Sequence, residues 1–198
     1  MVDLVSDSHN VNLFRDLPTR DRAGNLLIVV EAPRGSQVKI KYDETLRAFL
    51  WSRSLTLGMR FPYDFGFVPR TLADDGDALD GLVFADVGTS SGVVVPCRVI
   101  GAVRIAQRRN GGPEKRNDRI IAVPIAEHRH SQLSDVTELS TRVRGEIDAF
   151  FAASLALTGK HIELRGWASA AEAEQLVAAA AARFSPALEK QAVSGADC

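Results

Sequence analysis

Four aspartates fall within seven residues in the stretch Leu72-Ala73-Asp74-Asp75-Gly76-Asp77-Ala78-Leu79-Asp80-Gly81. Crowded carboxylates repel one another, so a folded chain needs a reason to keep them together. Two chemistries supply one. Asp and Gly are ordinary turn formers, and a solvated turn accounts for the composition. A hard cation accounts for it as well, because Mg2+ is held by one or two carboxylates together with waters and substrate phosphate oxygens. Other groups in the chain are less specific. Gly88-Thr89-Ser90-Ser91-Gly92 spells G-x-S-x-G, but a nucleophile elbow needs a strand before it and a helix after it. A strand-like run follows here, which favours a hairpin loop. His128 and His130 lack Cys or Asp partners at metal-ligand spacing and are expected in a solvated loop. Arg108, Arg109, Lys115, Arg116 and Arg119 form a basic segment, either solvated or placed to grip a phosphorylated substrate.

The bulk properties exclude several classes. The 198 residues are 45% hydrophobic, enough for one domain with a substantial core. A net charge of −1 leaves no basic footprint for nucleic acid. No apolar run reaches membrane-spanning length, and the segment around Asp3 and Asp7 lacks a signal pattern. Two cysteines, Cys97 and Cys198, make neither a disulfide framework nor a CxxC site, which predicts a reducing, cytoplasmic setting.

The elements that must position the acidic stretch are mostly short strands. Leu26 to Val30 is a compact β-branched run. Lys39-Ile40-Lys41-Tyr42 alternates, which puts Lys39 and Lys41 on one face. Ala48 to Arg53, Leu82 to Val87, Val93 to Ile105, Ile120 to Val123 and His161 to Gly166 are further strand candidates, and Arg60 to Phe67 is an aromatic turn region. From Leu133 the apolar period becomes helical through Val136, Leu139, Val143, Ile147, Phe150 and Phe151, with Ser134 or Asp135 as cap. Ser169 opens an Ala-rich helix expected to end before Pro186. The pattern predicts an α+β fold, a small closed β-barrel with two main helices packed outside. An N-terminal arm over 1–24, a domain over 25–185 and a loose tail over 186–198 complete the expected organisation.

Taken in order, Glu31-Ala32-Pro33-Arg34-Gly35-Ser36, Lys39, Arg53, Phe61-Pro62-x-x-Phe65-Gly66-Phe67 and Asp75-Gly76-Asp77-Ala78-Leu79-Asp80 resemble the soluble (family I) inorganic pyrophosphatases. That family's signature is D-G-D-P-x-D, preceded by Y-P-x-x-Y-G and a K-Y-E-Y strand. The likeness runs on through Arg98 to Val103, Ala122-Val123-Pro124, Phe150-Phe151 and Gly166-Trp167, about residues 26 to 184. It implies an OB-like barrel, a cytoplasmic homo-oligomer, Mg2+ as cofactor and hydrolysis of pyrophosphate. It further implies Asp75 and Asp80 as metal ligands, Glu31 in the outer metal shell, and Asp77 as acceptor of the proton from the attacking water. Lys39 and Arg53 would hold phosphate oxygens.

Several positions depart from the family's pattern. Lys41 stands where a metal-side glutamate is expected, and Phe61 and Phe65 replace two tyrosines. Gln107 and Asn117 stand at metal-ligand aspartate positions, with Asp118 next to the second as a substitute ligand. Arg119 replaces a phosphate-binding lysine, which keeps charge but not geometry. Ser154-Leu155 replaces a Tyr-Lys pair, Ala78 the motif proline and Ser52 an aspartate. Lys41 either takes over the charge of a missing metal beside Lys39 or extends to solvent. The expected function is a Mg2+-dependent phosphohydrolase acting on pyrophosphate or another phosphorylated small molecule, with impaired or redirected activity. The other reading is a metal- and phosphate-binding or structural paralogue without turnover.

Overall fold

The computed structural model describes residues 11–109, 112–155 and 157–194. The strands are β1 (Leu26–Ala32), β2 (Val38–Asp43), β3 (Ala48–Ser54), β4 (Asp64–Phe67), β5 (Asp80–Val83), β6 (Val94–Arg109), β7 (Lys115–Arg116), β8 (Arg119–Pro124) and β9 (Lys160–Ser169). The helices are α1 (Thr141–Leu155) and α2 (Ala170–Ser194), with a 3-10 turn at Val136–Glu138 before α1.

All seven residues of β1 are buried, as a strand paired on both sides should be. It pairs antiparallel with β4, Val29 opposite Phe67, and with β6, Leu26 opposite Cys97. β4 pairs with β5, β5 runs parallel to β8, and β8 returns to β6. The ring β1-β4-β5-β8-β6 is therefore closed, the predicted barrel, and its strands present no open edge. The long β6 continues past the ring, where its second half pairs with β7 and β9. Leu26, Ile28, Ile120 and Ala102 fill one side of the core and α2 covers it through Ala173, Val177 and Ala180. Phe61, Phe65, Ile121, Ile147 and Phe151 fill the other side, under α1. The hairpin β2–β3 forms a separate two-stranded sheet.

Three expectations are corrected at element ends. The helical period from Leu133 is not one helix: the backbone becomes extended at Leu139, and α1 begins after Ser140, whose hydroxyl accepts from Val143 N at 3.2 Å. Asp135 caps the 3-10 turn instead, accepting from Thr137 N at 2.9 Å. α2 opens at Ser169, as expected, through a reciprocal Ser169–Glu172 box, but continues past Pro186 to Ser194. An interior proline removes one intrahelical bond and crowds the carbonyl four residues back, a local cost that kinks or breaks a helix, but Leu188 to Ala192 are good helix formers and carry it on. Of the expected arm, residues 1–10 lie outside the described residues, while Leu13, Phe14 and Leu17 pack on the cluster of Val29, Tyr42 and Phe67. Of the expected tail, residues 195–198 lie outside the described residues. Among the described residues no helix is long and apolar enough to cross a membrane.

Candidate active site

The acidic stretch links β4 to β5 and is pinned at both ends. Val68 N donates to Leu79 O at 2.9 Å, and the buried Thr71 hydroxyl accepts from Leu79 N at 3.0 Å. Leu72 N donates to Ala180 O at 2.9 Å and Arg183 Nε to Leu72 O at 2.8 Å, so α2 holds the loop from behind. The turn itself closes through Ala73 N to Asp77 O at 2.8 Å and Gly76 N to Ala73 O at 3.1 Å. Gly76 sits at φ +93°, a conformation that glycine adopts without a Cβ penalty.

In front of this loop lies a cavity of about 490 Å³. The acidic loop gives it Asp77, β5 gives Asp80, β1 gives Glu31 and the hairpin gives Lys39 and Lys41. From the far end of β6 and the start of β8 come Gln107, Asn117 and Arg119; α1 ends on it with Leu155 and β9 begins on it with Lys160. Lys41 Nζ lies 2.9 Å from Asp77 Oδ1. Arg119 Nη1 lies 3.0 Å from Asp80 Oδ2 and also donates to the main-chain and side-chain oxygens of Asn117. Gln107 Nε2 donates to Asp75 Oδ2 at 2.9 Å.

These surroundings move several proton affinities. Burial raises the Glu31 carboxyl to about 7, opposed by the hydrogen bond from Tyr42 N and reinforced by the charge of Asp80. Burial also raises Asp75, partly offset by Asp77 N and reinforced by Asp80 and Asp77. For Lys41, burial disfavours the ammonium, but its hydrogen bond and ion pair with Asp77, with Glu31 and Asp80 behind, outweigh it and hold its pKa above the ordinary lysine value.

The structure thus brings Glu31, Lys39, Lys41, Asp77, Asp80 and Arg119 to one cavity, with Asp75 tied to its wall through Gln107. It does not bring Asp118 there. Side chains alternate along an extended segment, so Asn117 and Arg119 face the cavity while Asp118 turns to the opposite side. Asp118 accepts from Ile105 N at 3.0 Å and pairs with Arg116 at 2.6 Å, in a separate depression lined by Arg104 and Arg165. Nor does Arg53 line the cavity: its guanidinium donates to Ser154 O at 2.9 Å and joins β3 to the end of α1. Lys160, by contrast, lines the cavity without any signal in its neighbours; the pairing of Arg109 with Lys160 carries it there. Phe61, Phe65 and Phe67 are core residues. Ser90 lies in a loop followed by β6, and His130 pairs with Asp86 at 3.2 Å.

A metal here would meet oxygen donors only. No group of three or more His, Cys, Asp or Glu side chains gathers as a ready cage among the described residues. Mg2+ needs fewer, one or two carboxylates with waters and phosphate. Asp75 and Asp80 would supply these, and the buried Gln107 Oε1 has no hydrogen-bond partner among the described residues. A hard carbonyl oxygen without a partner, in the amide whose nitrogen bonds Asp75, fits a hard cation.

The Inorganic pyrophosphatase family profile matches residues 28–185. Among relatives, the inorganic pyrophosphatase of Synechocystis sp. is 35% identical over 151 residues, 76% of this chain and 86% of the relative. That of Thermus thermophilus is 35% identical over 175 residues, 86% of this chain and 97% of the relative. The crystal structure of the Thermus thermophilus enzyme superposes with a TM-score of 0.80, covering 88% of this chain and 99% of that one. The Helicobacter pylori inorganic pyrophosphatase superposes at 0.76 with 27% identity, covering 85% and 98%. With its closed barrel, its pinned acidic loop and these likenesses along most of its length, the chain belongs to the inorganic pyrophosphatase family.

Proposed function

We propose that the chain is a Mg2+-dependent hydrolase of pyrophosphate whose turnover is held down by its own substitutions. The observation that carries this reading is the convergence of Asp77 with Lys39, Lys41, Arg119 and Lys160 on one cavity beside Asp75 and Asp80. Water adds its oxygen to one phosphorus and gives a proton to the Asp77 carboxylate. The bridging P–O bond breaks and its electron pair leaves on the second phosphate. Lys39, Lys41, Arg119 and Lys160 neutralise the phosphate oxygens and fix their line of attack; positioning and charge neutralisation are most of phosphoryl-transfer catalysis. Asp75 and Asp80, with the Gln107 carbonyl, would hold Mg2+, which when bound polarises a phosphate oxygen and lowers the pKa of water.

Two features lower the rate. Phe61 and Phe65 are buried hydrocarbon and donate nothing to a phosphate, and Leu155 is an apolar side chain on the cavity wall. Each missing charged hydrogen bond is worth about 1.5–3 kcal/mol and roughly 1.4 kcal/mol is tenfold in rate, so several together slow turnover by orders of magnitude. A cytoplasmic homo-oligomer belongs to the same reading; Trp51 and Leu57, 70% and 99% exposed, supply apolar surface for subunit contact.

Steady-state phosphate release from pyrophosphate with Mg2+, beside a panel of organic diphosphates and phosphate monoesters, tests the reading. Slow release from pyrophosphate supports it. Preference for an organic diphosphate shows redirected specificity, and no release from any compound leaves a binding module.

A further inference from the structure

The acidic residues of the cavity each come with a partner from the chain, but the partners are of two kinds. Asp77 and Asp80 face full cations, Lys41 at 2.9 Å and Arg119 at 3.0 Å. Arg119 is fixed: it is buried, it donates to both oxygens of Asn117, and its guanidinium lies 6.0 Å and 5.8 Å from the Phe65 and Phe151 ring centres. Asp75 has no ion pair among the described residues: it accepts from the Gln107 amide at 2.9 Å and from Asp77 N at 3.2 Å, with the Arg119 charge acting only from a distance, and Gln107 Oε1 is buried without a partner among the described residues. Gln107 is 8% exposed and its side chain lines the cavity.

Charge divides the cavity accordingly. Glu31, Asp77 and Asp80 share the cavity with Lys39, Lys41, Arg119 and Lys160, while Asp43 and Glu44 lie on its rim and Asp75 stands behind Gln107. A divalent cation arriving at Asp77 would have to displace the Lys41 ammonium or share the carboxylate with it at close range, where like charges repel. A cation arriving at Asp75 meets a carboxylate without a contacting ammonium or guanidinium, next to an amide whose carbonyl lacks a partner among the described residues. Buried polar atoms without a partner are rare and point to an ion or water that belongs there.

We propose that Lys41 is a built-in counter-ion standing where a divalent ion would otherwise neutralise Asp77. The chain then binds a single hard divalent cation, at Asp75 and the Gln107 carbonyl beside Asp80, and Lys41 excludes a second ion from Asp77. This rests on the reading of the cavity as metal-assisted, but not on its turning over pyrophosphate.

The test is isothermal titration calorimetry of the chelator-stripped protein with Mg2+, and separately with Mn2+ counted by electron paramagnetic resonance, with no phosphate compound present. One ion per chain is expected for the unaltered protein. Gln107→Leu should weaken that ion at least tenfold with the circular dichroism melt retained. Lys41→Glu should raise the count to two, and Lys41→Gln, which removes charge without adding a ligand, should admit the second ion more weakly. Two or more ions in the unaltered protein, none at all, or an unchanged count in both Lys41 variants would overturn the proposal. Because no substrate is present, these results stand apart from the phosphate-release assay.

Discussion

Replacing Arg119 with methionine tests how the floor of the cavity is held. Arg119 and Asp80 are 6% and 18% exposed in their side chains and lie 3.0 Å apart, so their pair is largely removed from water. Truncating one member of a buried pair costs about 3–5 kcal/mol, because the other charge stays behind uncompensated. The Asn117 oxygens also lose their donor, and the Phe65 and Phe151 faces lose a cation worth about 0.5–1 kcal/mol each. Against this, Arg119 Nε is buried without a partner among the described residues, and methionine removes that cost, roughly 1–3 kcal/mol. The balance is a loss of about 3–5 kcal/mol, which for a chain of this size lowers Tm by roughly 6–20 °C. Urea denaturation followed by circular dichroism measures it. The double variant Arg119→Met, Asp80→Asn should lose less than the sum of the single losses, since the two side chains share one interaction. A loss under about 1 kcal/mol, or strict additivity, would refute the buried pair.

Three further outcomes follow from the same geometry. Glu31 titrates near 4.5 when unfolded and about 7 when folded, so the folded state holds its proton more tightly; stability from this group is complete below pH 4.5 and is lost as pH rises through 7. The gap of about 2.5 pH units is worth about 3 kcal/mol, and in chelator Glu31→Gln should gain on the unaltered protein by that order between pH 5 and pH 8; parallel stability curves would count against the burial effect. A Cβ on Gly66 would stand 1.9 Å from Val29 O, so Gly66→Ala should separate β1 from β4 and cost at least about 3 kcal/mol; a melt within a few degrees of the original would show that the strands are not so closely packed. Asp118→Asn should cost about 1.5–3 kcal/mol of stability through the lost Arg116 pair, with the divalent-ion affinity unchanged; a fall in ion affinity would restore Asp118 to the cavity.

Sequence reasoning reached furthest where chemistry and local period coincide. Lys39 and Lys41 share a face because strands alternate, and both reach the cavity. The β-branched run at Leu26 to Val30 could be read as a buried strand because it has nowhere else to put five apolar side chains. Asp118 adjoins Asn117 in the chain but stands at a different depression. A one-residue step changes face, and counting by two from Arg119 selects Asn117. Arg53 sits opposite Lys39 across the hairpin, yet its guanidinium is drawn to Ser154 O at the end of α1, a contact between residues far apart in the chain. Lys160 had no local signal at all, since it reaches the cavity through a pairing between residues far apart in the chain. The paired aspartates were equally invisible, because which cation meets which carboxylate is decided by the closed barrel.

The most direct measurement is the single-turnover rate constant for pyrophosphate cleavage at saturating Mg2+, with Asp77→Asn beside the unaltered protein. A positioned general base contributes about 10²–10⁴-fold, so Asp77→Asn should cleave at least roughly 100-fold more slowly while still binding a non-hydrolysable diphosphate. Equal rates in the two proteins would contradict Asp77 as the proton acceptor and with it the assignment of this cavity as the site of hydrolysis.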